Sequence, residues 1–138
     1  MDNSRVPRVG DLPIRAVPVI AAHLAMSAAR KVAALKRTGR LFVERDGQLV
    51  GTLDEQALAG TPDDAPVAAT MRPIDLCLHL TTLATRARDL FIRSGTDALP
   101  VVAGVFLVGA VSRGDVERAL RDRRLPEAGS VALVRAVA

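Results

Sequence analysis

The chain of 138 residues has no tryptophan and no tyrosine, and phenylalanine only at positions 42, 91 and 106. Proteins that hold single-stranded nucleic acid stack bases on aromatic rings. That scarcity disfavours nucleic acid as a partner, despite a formal net charge of +4. The single cysteine, Cys77, excludes an internal disulfide, and an inert thiol in a strand is expected. No apolar run approaches the ~20 residues needed to cross a bilayer. The start Met1-Asp2-Asn3-Ser4 has neither the charge nor the apolar stretch of a secretion signal, so a cytoplasmic location without membrane partners is expected. His23 and His79 have no companions at metal-ligand spacing. Paired carboxylates occur at Asp54-Glu55 and Asp63-Asp64, but no nucleophile, base and oxyanion donors converge, and there is no Gly-rich phosphate loop. No enzyme, no metal site and no required cofactor are expected.

What the chain does have is patterned apolar sequence. With 49% hydrophobic residues, one compact unit with a real core is within reach. The runs Leu99–Val102 and Val105–Val111, split by Ala103-Gly104, predict a tight β-hairpin. The second run stops at Ser112, and Asp115 follows at the opening of an amphipathic helix. A hydroxyl and a carboxylate at such a corner sit beside free backbone N–H groups and the positive end of the helix dipole. They can hold an anion and the hydroxyls attached to it. They can equally serve only as a helix cap and a favourable first-turn charge.

The pattern occurs twice. Arg40–Leu53 repeats the hairpin around the turn Asp46-Gly47, and Leu49-Val50-Gly51 answers Leu107-Val108-Gly109. Upstream, Val17-Pro18-Val19 parallels the stretch Pro73–Leu78, and helical stretches follow at about 25–37 and 83–93. Each unit therefore reads strand, helix, strand, strand, helix. Thr61–Pro66 reads as the linker that separates them. Basic residues lie along the helices, with Arg118, Arg121, Arg123 and Arg124 grouped near the end of the last one, where cations suit the dipole. The apolar tail Val131–Ala138 either adds a strand or stays unstructured.

Ala98-Leu99-Pro100-Val101-Val102, the run Leu107–Val116 and Thr70-Met71-Arg72-Pro73 resemble the cystathionine-β-synthase (CBS) domain family, in its stand-alone tandem form, the Bateman module. The resemblance implies an α+β fold of two β-α-β-β-α repeats related by a pseudo-twofold, each a small mixed sheet with helices on one face. The divergent first repeat spans 9–60 and the second 67–122, with terminal extensions at 1–8 and 125–138. It also implies a regulatory role: an adenosine ligand such as AMP, ADP, ATP or S-adenosylmethionine in a cleft between repeats. By that resemblance Ser112, the N–H groups beside it and Arg113 face the phosphate, and Asp115 takes the ribose diol. Arg15, Ala16, Val17, Thr38, Gly39 and Arg40 complete the pocket. The first repeat carries Asp54 in place of Ser112 and Ala57 in place of Asp115, so at most one nucleotide site is expected. A homodimer through Ala21–Ala34 and Leu83–Ile92 is the expected assembly, regulating an unidentified protein partner. The competing reading is a ligand-free pair serving as an interaction scaffold.

Overall fold

The computed structural model describes residues 6–122, which form two compact units. The first comprises Val17–Asp75; the second joins the described residues up to Ala16 to those from Leu76. The α+β class and the duplicated strand–helix–strand–strand–helix order both hold.

In the first unit β1 (Val19–Ala21) runs parallel to β2 (Leu41–Arg45), with Ile20 opposite Val43. Parallel neighbours need a crossover, here α1 (Met26–Lys36), which buries Met26, Ala29 and Ala33 at helical spacing. The strand β3 (Gln48–Leu53) returns antiparallel to β2. The turn between them is Asp46-Gly47, whose φ values of 55° and 81° match the twist of a two-residue hairpin. Asp54 then caps the short helix α2 (Glu55–Gly60), and α3 (Val67–Thr70) follows. The core joins Ile20, Met26, Leu41, Val43, Leu53 and Val67.

The second unit repeats the plan. β4 (Leu78–His79) lies parallel to β5 (Ala98–Ala103), and β6 (Phe106–Ser112) pairs antiparallel with β5. The crossover is α4 (Ala84–Ser94), ended by Gly95 at φ 72°, and the last helix is α5 (Arg113–Asp122). Even the irregularities recur: a β-bulge falls at Val43/Glu44 in one hairpin and at Val101/Val102 in the other. The core gathers Phe91, Leu99, Val101, Val111 and Val116 around Val9, Leu12 and Ile14 from the N-terminal segment.

That last point defines the connectivity. Neither crossover helix has a side chain able to cap it, since Ala25 and Leu83 occupy the N-cap positions. A backbone carbonyl from a separate segment accepts the first helical N–H instead. Ala84 N–H donates to Pro7 at 2.8 Å, and Met26 N–H donates to Ala65 at 2.9 Å. Val9 and Gly10 return N–H donors to Thr82 and Leu80, as Val67 and Ala68 do to Leu24 and Ala22. The segment before the first strand therefore packs with the second unit, and the segment before the fourth packs with the first. The stretch Thr61–Pro66 is built into the first unit rather than left as a plain connector. Arg30 donates to Leu58 O at 2.6 Å, to Asp63 Oδ1 at 2.5 Å and to the Thr61 carbonyl. The apolar tail and the basic residues beyond Asp122 lie outside the described residues.

Candidate functional site

The corner between β6 and α5 holds the sequence-predicted pair. β6 keeps its pairing with β5 up to Ser112, opposite Ala98. There the chain turns into α5, and Ser112 Oγ accepts the N–H of Asp115 at 3.0 Å. The capping role is thus realised. A hydroxyl with one lone pair so engaged retains its own O–H donor and a second acceptor site.

Asp115 behaves differently from an ordinary first-turn acid. Its side chain is 5% exposed, and Arg118 Nη1 donates to Oδ1 at 2.9 Å. The other oxygen, Oδ2, is buried with no hydrogen bond. Arg15 Nη2 stands 3.5 Å from it, inside ion-pair range but outside hydrogen-bonding geometry. A buried carboxylate needs compensation, and here one oxygen is bonded while the other is balanced only by a nearby charge.

Arg15 arrives by a specific route. Its backbone forms a single antiparallel bridge with Ala110 on β6, with N–H···O distances of 2.9 Å in both directions. Its side chain is 72% exposed. Arg113 is committed elsewhere: its N–H bonds Asp97 O at 2.8 Å and its Nε donates to Glu117 at 3.2 Å. Ser112, Asp115 and Arg15 therefore meet in one unit, with Arg113 beside them on an ion pair of its own.

Ala16 is the last residue of the second unit's N-terminal segment; Val17, Thr38, Gly39 and Arg40 belong to the first unit. Thr38 closes the turn into β2, donating its hydroxyl to Arg40 O at 3.0 Å and accepting Arg40 N–H at 3.2 Å. Gly39 lies against Glu55, where an added Cβ would come within 2.5 Å of the glutamate Cγ. Both residues line a groove of about 490 Å³ along α1 and α2, shared with Arg30, Arg37 and Leu58.

The first unit's own corner has taken another course. Asp54 accepts Ala57 N–H at 2.9 Å, so the carboxylate does the capping that Ser112 does in the second unit. Its second oxygen is 3.5 Å from Arg72, whose backbone bridges Thr52 as Arg15 bridges Ala110. Of the remaining candidates, burial pushes the Cys77 thiol up from its ordinary value, which suits an unreactive side chain. No group of three His, Cys, Asp or Glu side chains assembles among the described residues. Nor is any helix among them long and apolar enough to cross a membrane.

Residues 67–122 match the sequence profile of the CBS domain family. The chain carries a CBS domain within a tandem CBS-pair fold. The CBS domains of a transcriptional regulator from Streptococcus pneumoniae match it with a TM-score of 0.70 at 18% identity, over 82% of this chain and 98% of that one. A CBS domain pair/ACT domain protein from Thermotoga maritima matches with a TM-score of 0.70 at 23% identity, covering 83% of this chain and 97% of that one. CBSX2, from Arabidopsis thaliana, in a structure with bound AMP, matches with a TM-score of 0.68 at 25% identity, over 86% and 99% of the two chains. No curated protein matches the chain.

Two partners of the corner acids, one in each unit, escaped the reading of the sequence. Arg118 passed as one of several cations near a helix end, although its spacing from Asp115 marks an i,i+3 pair. Arg72, the counterpart of Arg15, carries no local signal that it meets Asp54.

Proposed function

We propose that this CBS pair is a regulatory ligand-sensing module that binds one adenosine-type nucleotide, drawn from AMP, ADP, ATP or S-adenosylmethionine, at the Ser112–Asp115 corner. The observation that carries the reading is the Asp115 carboxylate, buried at a helix N-terminus with Oδ2 lacking a hydrogen-bond donor. A ribose hydroxyl is a donor that such an oxygen accepts, and hydrogen bonds to a charged acceptor are among the stronger ones. The Ser112 hydroxyl and the positive end of the α5 dipole favour the adjoining phosphate, although the N–H groups of Arg113 and Asp115 are taken up by Asp97 and Ser112. The AMP complex of the similar CBSX2 supports the ligand class. Val17, Thr38, Gly39 and Arg40 enter this proposal only through the family resemblance. Regulation follows if the ligand prefers one of two conformations or assemblies of the protein. We include a homodimer through Ala21–Ala34 and Leu83–Ile92 in the reading, supported by exposed Leu83 and Ile92 at the ends of the second stretch, at 37% and 58% exposure; sedimentation by analytical ultracentrifugation tests it, and a monomer at high concentration removes it.

A calorimetry and melting panel with the four ligands tests the site. A ligand at about a hundred times its Kd stabilises the fold by ~2.7 kcal/mol. Asp115→Ala is expected to abolish that gain, with one ligand per chain in the parent. Silence of all four at millimolar concentration favours the scaffold reading instead, which the self-capped Asp54 corner of the first unit already suits.

A further inference from the structure

We propose that Arg15 is both the resting plug of this corner and its phosphate-selecting residue: it lies on Asp115 in the free chain and transfers to the ligand's phosphate when ribose takes the carboxylate. The inference rests on the nucleotide reading above and adds to it the residue that decides which nucleosides are accepted.

Three observations carry it. First, the two arginines around Asp115 are not equivalent. Arg118 is hydrogen-bonded to Oδ1 at 2.9 Å, whereas Arg15 stands 3.5 Å from Oδ2, an oxygen with no hydrogen bond. Arg118 anchors the acid, and Arg15 merely covers it. Second, Arg15 is fixed where it must be fixed and free where it must be free. Its backbone is held to Ala110 by two hydrogen bonds of 2.9 Å, while its side chain is 72% exposed. The guanidinium can therefore leave the carboxylate without unfolding the segment that carries it. Third, Ala110 lies two residues before Ser112 on the same strand, so the guanidinium swings beside the Ser112 hydroxyl and the opening of α5.

The exchange has a chemical consequence. A ribose hydroxyl can replace Arg15 as a partner of Oδ2 by donating a hydrogen bond, but it brings no positive charge. A nucleoside without phosphate therefore displaces the cation and offers it nothing. A nucleotide offers its phosphate, to which a guanidinium binds in bidentate fashion. Phosphate becomes the condition for opening the corner, which narrows the reading above to AMP, ADP and ATP and leaves out S-adenosylmethionine along with every other unphosphorylated nucleoside.

Calorimetric titration of the full chain with AMP and with adenosine tests this in the parent, Arg15→Gln, Arg15→Lys and Arg118→Gln proteins. The parent is expected to favour AMP over adenosine by about tenfold or more, the scale of a hydrogen bond to a charged group. Arg15→Gln is expected to weaken AMP and tighten adenosine, so the two affinities converge; Arg15→Lys, which keeps the charge and loses the bidentate fork, keeps only part of the difference. Arg118→Gln weakens both ligands alike. Loss of both ligands in equal measure in Arg15→Gln, or an undiminished lead for AMP, overturns the proposal while leaving the nucleotide reading intact. Should Arg15→Gln not fold, Arg15→Met takes its place, and an undiminished lead for AMP in that protein overturns the proposal as well. Failure of the parent to bind AMP, ADP, ATP or adenosine overturns this proposal, and silence of S-adenosylmethionine as well overturns both readings together.

Discussion

In the first unit the acid stands at the helix cap, as Asp54, and Arg72 approaches it from an adjoining segment; in the second unit a serine caps and the acid lies three residues further on, as Asp115. The backbone around both is alike, down to the single bridge that each arginine makes and the bulge in each hairpin. At the cap, a carboxylate spends its hydrogen-bonding capacity on its own helix and stays partly exposed. Three residues on, it is carried inward, where Arg118 of the same helix bonds one oxygen and Arg15, from a distant segment, stands near the other without a hydrogen bond. A shift of one functional group by less than a helical turn thus separates a self-satisfied corner from one with an oxygen to spare. The cores differ in the same direction. Phe91 fills the second unit where α1 offers Ala33 at the matching place in the first.

Phe91→Ala puts the core difference to the test most severely. The ring is fully buried, and its removal is expected to cost about 3–5 kcal/mol in chemical denaturation. A loss below about 1 kcal/mol would mean that the second unit does not depend on its larger core.

Gly51→Ala probes the first unit's closest backbone approach. A Cβ there would lie 2.6 Å from Met71 Sδ and 2.8 Å from the Arg72 carbonyl. The crowding is expected to cost about 1–3 kcal/mol, read as a lower denaturation midpoint. An unchanged midpoint would show the Thr52–Arg72 bridge to be dispensable.

The two caps come next. Ser112→Ala and Asp54→Ala are each expected to lower stability by about 1 kcal/mol, because each removes one N-cap acceptor. Their ligand responses should part company, with Asp54→Ala keeping the nucleotide-induced rise in Tm. Equal loss of that rise in both proteins would erase the distinction between the corners.

The smallest effect concerns Glu44, which sits in β2 where β5 has Val102. Burial raises its pKa above the ordinary carboxylate value. The folded state therefore favours the protonated form, and that contribution is complete below the unfolded pKa and lost as pH rises through the folded one. Glu44→Gln should be slightly more stable than the parent at neutral pH and match it in acid. Parallel stability curves across that range would refute the assignment.

Much of this was legible because it is local. Asp46-Gly47 announces a tight turn, Gly95 ends α4, and the spacing of Met26, Ala29 and Ala33 draws one buried stripe. Ser112 and Asp115 could be named as a pair, since their separation places both in one helical opening. The partnerships of Asp115 could not all be named. Arg118 was within reach at i,i+3, but Arg15 is distant in sequence and meets the acid only through a bridge to Ala110. Thr61–Pro66 looks like a linker by composition, yet Arg30 binds its Thr61 carbonyl and its Asp63 carboxylate. Composition reports turn tendency and says nothing about which side chain reaches in.

From the sequence alone came the duplication, the order of strands and helices, and the two corner residues, all consequences of periodicity and turn chemistry over short spans. Folding decided which lead segment completes which unit, because Pro7 and Ala65 supply carbonyls to helices that lack capping side chains and lie far along the chain. It also decided that one oxygen of Asp115 is left without a donor. Burial and ion pairing depend on where distant segments come to rest, and no stretch of neighbouring residues encodes that by itself.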